Sequence, residues 1–333
     1  MTMTHAALRR VDSMLVWDNH ACMPLTPHDA SFLPQLRRHR DAGADVVMVN
    51  VGYGDDGVEQ HLRMLAAMRD WLLAHASDYR LIRSVDDIAL ARAGGQLAVG
   101  FDIEGANAIG DQLSLLGLYR DLGVRWMLLA YNRNNRAGGG CQDEDAGLSA
   151  FGRRMLHEMA RVGIVACCSH TGYRTAREAI DESPTPVIFS HSNARALVDH
   201  PRNIPDDLVK ACAARGGVVG VNGIGIFLGA NDASVANVAR HVLHMLDLVG
   251  SEHVGLGLDY IFDTRDLAAE IAAHPDKFPP HLGYTADIAM TPPEQLPDLA
   301  DELARRGVDD ASLARIFGGN WLRVAREVWQ PPS

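Results

Sequence analysis

The chain has 333 residues, 47% of them apolar and 22% charged, with a formal net charge of −11 at pH 7. That balance describes a globular protein with a large core, long enough for one big α/β domain or two smaller ones. It speaks against a nucleic acid or an anionic membrane as partner, and no run of about 18 apolar residues offers a bilayer span.

The N-terminal stretch MTMTHAALRRVDSM has no apolar core of signal-peptide length. Five cysteines are present, Cys22, Cys141, Cys167, Cys168 and Cys212, with no C-x-x-C pair among them. An odd count without a framework spacing implies a reducing compartment, so a cytoplasmic protein is expected.

Short apolar runs predict strands at 14–18, 45–51, 96–103, 124–130, 163–169, 186–190, 217–222 and 253–259. Between them lie segments with apolar residues at helical spacing, such as 58–76 and 235–250. Strand–helix alternation repeated eight times predicts a single (β/α)8 TIM-type barrel over residues 1–333. An open doubly wound sheet is the alternative, and it lacks a G-x-G-x-x-G after the first strand. Two long loops, 132–149 and about 260–291, are expected over one barrel face. The glycines of NRNNRAGGG are read as a mobile loop, because no phosphate-binding lysine and Ser/Thr follow them.

The strand ends carry the chemistry. The first leads to His20 and Cys22, the third to Glu104, the fourth to Tyr131 and Asn132, the fifth to His170, the sixth to His191 and the eighth to Asp259. Barrel active sites are built at those C-terminal ends. Three histidines, two carboxylates and a thiol converging there have the composition of a metal site. His241 and His244, three apart on a helix, and His61, His75 and His157, also in helices, are expected on the surface. Adjacent Cys167 and Cys168 should face opposite sides of their strand.

These residues resemble the membrane dipeptidase (renal dipeptidase) family of zinc peptidases, from about residue 14 to residue 329. The resemblance rests on IEGANAI (103–109), SHTG (169–172), SHSNARAL (190–197), HPRNIPDD (200–207), HVGLGLD (253–259) and GGNWLRV (318–324). It implies a metallo-dependent-hydrolase barrel with two zinc ions bridged by Glu104. His20 falls on a ligand of the first zinc, and His170 and His191 fall on ligands of the second. Asp259 falls on a proton shuttle, and Arg202 on an arginine that holds the substrate carboxylate. Two positions depart from the pattern: Cys22 stands where His-x-Asp is usual, and Tyr131 where a histidine precedes the asparagine.

The expected activity is hydrolysis of a dipeptide amide bond by a hydroxide held between the two metals. Cys22 would complete the first metal's ligands, Tyr131 would steady the oxyanion, and Asn132 would help bind substrate. Arg133 and Arg136 are read as solvated loop charges. The alternatives are a related amidohydrolase acting on N-acyl amino acids, lactams or lactones, and a non-catalytic zinc-binding barrel. The expected partner is a small amide with a free carboxylate, and pairing through the barrel helices makes a homodimer a compatible assembly.

Overall fold

The computed structural model describes residues 11–329; the first ten residues of the stretch tested for a signal peptide lie outside them. The strands are β1 (Trp17–Cys22), β2 (Val46–Tyr53), β3 (Tyr79–Leu81), β4 (Leu97–Glu104), β5 (Val124–Leu128), β6 (Val165–Cys167), β7 (Val219–Val221), β8 (Val254–Leu256) and β9 (Tyr260–Ile261). All named pairings are parallel, in the order β6-β5-β4-β2-β1-β9, with β3 beside β4 and β7 paired to β8. Parallel strands buried on both faces read as near-continuous apolar runs, which is why the sequence marks them so clearly. The architecture is the expected (β/α)8 barrel.

The predicted sixth strand, 186–190, is the exception. It makes only single parallel bridges, Ile188 to Cys167 and Phe189 to Val219, and so links β6 to β7 without being a regular strand. Its ladder is short: Ile188 and Phe189 N–H donate to Ala166 O and Val218 O, but Ser190 N–H goes to Cys167 Sγ at 3.3 Å and His191 N–H to Ser169 Oγ at 3.1 Å. The three residues of β3 are too few to leave a periodic signal.

Closure between β8 and β1 runs through Asp18, whose Oδ1 accepts the Leu258 N–H at 2.8 Å while Oδ2 meets His39 Nε2 at 2.9 Å. Inside the barrel, Trp17, Met48, Trp126, Leu128, Val165 and Cys167 pack with Trp321 from the C-terminal helix Asn320–Val328. A Cβ at Gly255 would lie 2.6 Å from the Trp321 ring, so only glycine admits that indole. Cys168 belongs instead to the layer between sheet and helices, so the vicinal cysteines do face opposite sides.

Three sequence expectations need correction. His241 and His61 are buried, not superficial. His241 takes the Ala194 N–H on Nδ1 and donates from Nε2 to Leu228 O, so its helix presents it inward as a satisfied polar group. His61 Nδ1 meets its own helix at Gly57 O. The glycine run is packed rather than mobile. A Cβ at Gly140 would lie 2.2 Å from the backbone of Asn132, and Gly139 N–H donates to Thr175 Oγ1. The second long loop holds a helix, Thr264–Ala273, and its Ile271, Phe278 and Tyr284 form a small apolar cluster with Ile224 and Phe227.

Candidate metal centre

The register of β1 against β2 slips between Asp18 and Ala21. Such a bulge puts one extra residue into a strand and re-aims the side chains beyond it. Trp17 therefore points into the packed barrel floor, while His20 and Cys22 still reach the barrel mouth. Glu104 ends β4, and His170 and His191 follow β6 and the bridged segment.

The three imidazoles are arranged alike. His20 Nδ1 lies 3.3 Å from Asp102 Oδ2, His170 Nδ1 2.7 Å from Asn132 Oδ1 and His191 Nδ1 2.8 Å from Ser190 Oγ. Each Nδ1 is thus engaged by an oxygen behind it, which turns Nε2 inward, the usual orienting device for metal-ligating histidines. All three Nε2 atoms converge on Glu104 Oε1, at 3.6, 3.4 and 3.2 Å for His20, His170 and His191. Glu104 Oε1 is buried and has no hydrogen-bond partner among the described residues.

On the other side of His20, Nε2 lies 3.5 Å from Cys22 Sγ and 3.4 Å from Asp259 Oδ1, with Cys22 Sγ and Asp259 Oδ1 3.8 Å apart. Two groups of donor atoms, His20–Cys22–Asp259 and His20–Glu104–His191, each lie within 4.8 Å of one another. His20 belongs to both groups, and His170 Nε2 lies 3.0 Å from His191 Nε2 at the edge of the second.

The electrostatics fit a cation. Burial, then the positive Arg202 and His20, hold the His170 imidazole well below its ordinary pKa. Burial and the same two neighbours do so for His191, so both are neutral and ready to ligate. Burial pushes the Glu104 carboxyl up to about 8 and the Cys22 thiol up to about 12. His20 differs from the other two imidazoles: burial opposes its charge, but Asp102, Cys22 and Glu104 outweigh burial and raise it well above normal. A bound divalent ion would take the place of the His20 proton and draw the protons off the Glu104 carboxyl and the Cys22 thiol.

The backbone is strained at the same place. Asn132, His170 and Asp259 have φ of +54°, +61° and +59°, a conformation costing of order 1 kcal/mol for a side chain of this kind.

The centre opens into a cavity of about 500 Å³. Tyr131 lines it and stacks on His170 with ring centroids 4.1 Å apart. Arg202 reaches it from a site only 2% exposed, with Nε and Nη1 unpartnered and its guanidinium 5.2 Å over the Phe227 ring. Asn132, expected to touch substrate, is instead buried behind His170 and does not line the cavity. Arg133 pairs with Asp143 at 2.7 Å and donates to Asp276 O, tying the two long loops together.

Three contributors escape the motif reading. Asp102 orients His20, Asn50 Nδ2 donates to Asp102 Oδ1 at 3.2 Å, and Asn222 Nδ2 donates to Asp259 Oδ2 at 2.7 Å. Asp102 had a readable signal: it stands two before Glu104 on an apolar strand and so faces the same side. Asn50 lies in β2 and Asn222 just beyond β7, polar residues in the two predicted runs, 45–51 and 217–222, that led to no site residue.

Comparison with known proteins adds the family context. The profile of the membrane dipeptidase family (peptidase family M19) matches residues 30–279. An uncharacterized dipeptidase of Schizosaccharomyces pombe is 35% identical over 212 residues, 61% of this chain and 51% of the relative. The chain spans about half the length of the curated relatives it matches. The solved structure of an amidohydrolase from Pseudomonas aeruginosa matches with a TM-score of 0.87 and 28% identity, covering 97% of this chain and 99% of that one. A metallo peptidase from Rhodobacter sphaeroides, solved with a phosphinate mimic of the dipeptide L-Ala-D-Ala, shares the fold at a TM-score of 0.75 and 22% identity. That match covers 95% of this chain and 99% of that one. Among the described residues no helix is long and apolar enough to cross a membrane.

Proposed function

Since the chain belongs to the membrane dipeptidase family, we propose that it is a zinc-dependent dipeptidase, cleaving the amide bond of a small substrate with a free carboxylate. The observation that carries the reading is the unpartnered, buried Glu104 Oε1 facing three imidazole Nε2 atoms within 3.6 Å. Glu104 would be shared by two ions, with His20 and Cys22 completing one set of ligands and His170 and His191 the other. The thiolate favours zinc over harder ions. When bound, the ions supply Lewis acidity, polarising the carbonyl and making water nucleophilic near neutral pH.

The chain's own residues do the rest. Arg202, with two unpartnered N–H groups in a buried position, takes the substrate carboxylate in a charge-assisted hydrogen bond. Asp259 is held through Oδ2 by Asn222, so Oδ1 remains to accept the attacking water's proton and return it to the leaving amine. The phenol of Tyr131, kept neutral by burial and by the nearby Glu104 carboxylate, donates a hydrogen bond to the developing oxyanion. Asn132 positions His170.

A second reading, hydrolysis of N-acyl amino acids, rests on Tyr131. A phenol there narrows the space over His170 and changes the donor offered to the oxyanion.

The deciding experiment gives zinc-loaded protein a panel of L,L and L,D dipeptides beside N-acetyl amino acids. Chelator-sensitive turnover of dipeptides supports the first reading. Turnover of the acyl compounds alone supports the second, and neither, with zinc still bound, overturns both.

A further inference from the structure

The cavity is electrically polarised. At its inner end stands Arg202, buried and with unpartnered N–H groups, which calls for an anionic group on the ligand. Its outer wall is acidic: Asp55 and Asp56 follow β2, and Asp263, Asp266 and Glu270 come from the start and body of the helix Thr264–Ala273. One cationic side chain and one imidazole of the chain already lie against this wall. Lys277 Nζ is 3.3 Å from Asp55, and His274 Nε2 is 3.6 Å from Glu270. Glu270 also accepts the Tyr53 hydroxyl at 3.0 Å.

Two carboxylates of the wall, Asp56 and Asp266, make no ion pair among the described residues. Among the described residues Asp56 accepts only the Tyr53 N–H, at 3.3 Å. Asp263 caps the helix and meets the exposed Arg265 at 3.7 Å. Asp266 has no cationic partner among the described residues, and slight burial with the charges of Asp263 and Glu270 raises its carboxyl pKa. The Lys277–Asp55 pair is the chain's own alkylammonium contact with this wall.

Resting on the dipeptidase reading, we infer that the acidic wall selects substrates whose N-terminal residue carries a basic side chain. The substrate carboxylate sits on Arg202, the scissile amide lies at the metal ligands, and the side chain of the first residue extends outward to Asp56 and Asp266. The wall is solvent-exposed, so each contact is weak and screened by salt, and the selectivity comes from several summed contacts.

The test compares Lys-Ala with norleucine-Ala, which has the same length and no charge, and with Glu-Ala, on the zinc-loaded protein. The expected kcat/KM for Lys-Ala exceeds that for norleucine-Ala roughly tenfold at low ionic strength, and the ratio shrinks as salt is added. In Asp266→Asn the ratio falls toward one, and in Asp266→Lys the order of Lys-Ala and Glu-Ala reverses. Equal values for Lys-Ala and norleucine-Ala in the unmodified protein would overturn the inference while leaving the dipeptidase reading intact. If none of the three is cleaved, the dipeptidase reading fails. Isothermal titration with the same uncleaved dipeptides then reads the wall directly, and equal affinities for Lys-Ala and norleucine-Ala overturn the inference too.

Discussion

Cys22 Sγ lies 3.5 Å from His20 Nε2, on the same side of a strand whose bulge brings both to the barrel mouth. A thiolate at this position donates more charge to a metal than a carboxylate does, which tightens zinc and lowers its Lewis acidity. Cys22→Asp should therefore retain metal while raising peptidase turnover. Cobalt(II)-loaded protein should show thiolate-to-metal charge-transfer absorption that Cys22→Asp abolishes. An unchanged spectrum in the variant would remove Cys22 from the coordination shell.

Glu104 is the shared element, and its replacement has a different signature. Glu104→Gln keeps the volume but halves the acceptor capacity and removes the charge between the two ligand sets. Metal content measured by elemental analysis should fall for both ions together. Full occupancy in that variant would show that Glu104 is not a bridge.

Much of this centre is legible in the sequence, and the reason is physical. His20, Glu104, His170, His191 and Asp259 each end an apolar run, and a polar residue at the end of a buried strand needs a partner. What stayed hidden depends on contacts between distant segments. Asp102 is separated by 82 positions from the His20 it orients. The bulge in β1 leaves no compositional mark. His241 is polar on an amphipathic helix, and only the Ala194 N–H across the fold makes it an interior residue. The segment 186–190 has strand composition, but its ladder stops at Phe189, where Cys167 and Ser169 take the next two N–H groups.

Tyr131 offers a test of the oxyanion role. Tyr131→Phe keeps the stacking on His170 and deletes one donor, so kcat should fall about 10- to 100-fold with KM little changed, on the small side for loss of an oxyanion donor. A rise in KM alone would make Tyr131 a binding residue instead.

Arg202 is the carboxylate clamp in the proposed mechanism. Arg202→Met preserves the apolar stem against Phe227 and removes the fork. KM should rise for dipeptides by about 10- to 100-fold, with carboxyl-esterified analogues unaffected. Equal losses on acids and esters would take Arg202 out of substrate recognition.

His241 predicts an acid limit to stability. Its Nδ1 accepts the Ala194 N–H and its Nε2 donates to Leu228 O, so both nitrogens are committed in the neutral form. Burial, reinforced by Arg240 and His244, lowers its pKa from 6.5 to about 4. Between those values the unfolded chain binds a proton that the folded chain refuses, so stability is complete above about pH 6.5 and falls as pH drops toward 4. At about 1.4 kcal/mol per pKa unit the full loss is roughly 3 kcal/mol, an order-of-magnitude figure. His200 is built the same way, accepting Arg202 N–H on Nδ1 and meeting Leu282 O through Nε2, with its pKa likewise lowered to about 4. Urea unfolding at pH 7.5, 6 and 4.5 should show this decline. His241→Gln should be less stable at pH 7.5 yet lose less between pH 6 and 4.5, because its amide does not titrate. An identical slope in the variant would assign the acid sensitivity to the carboxylates instead.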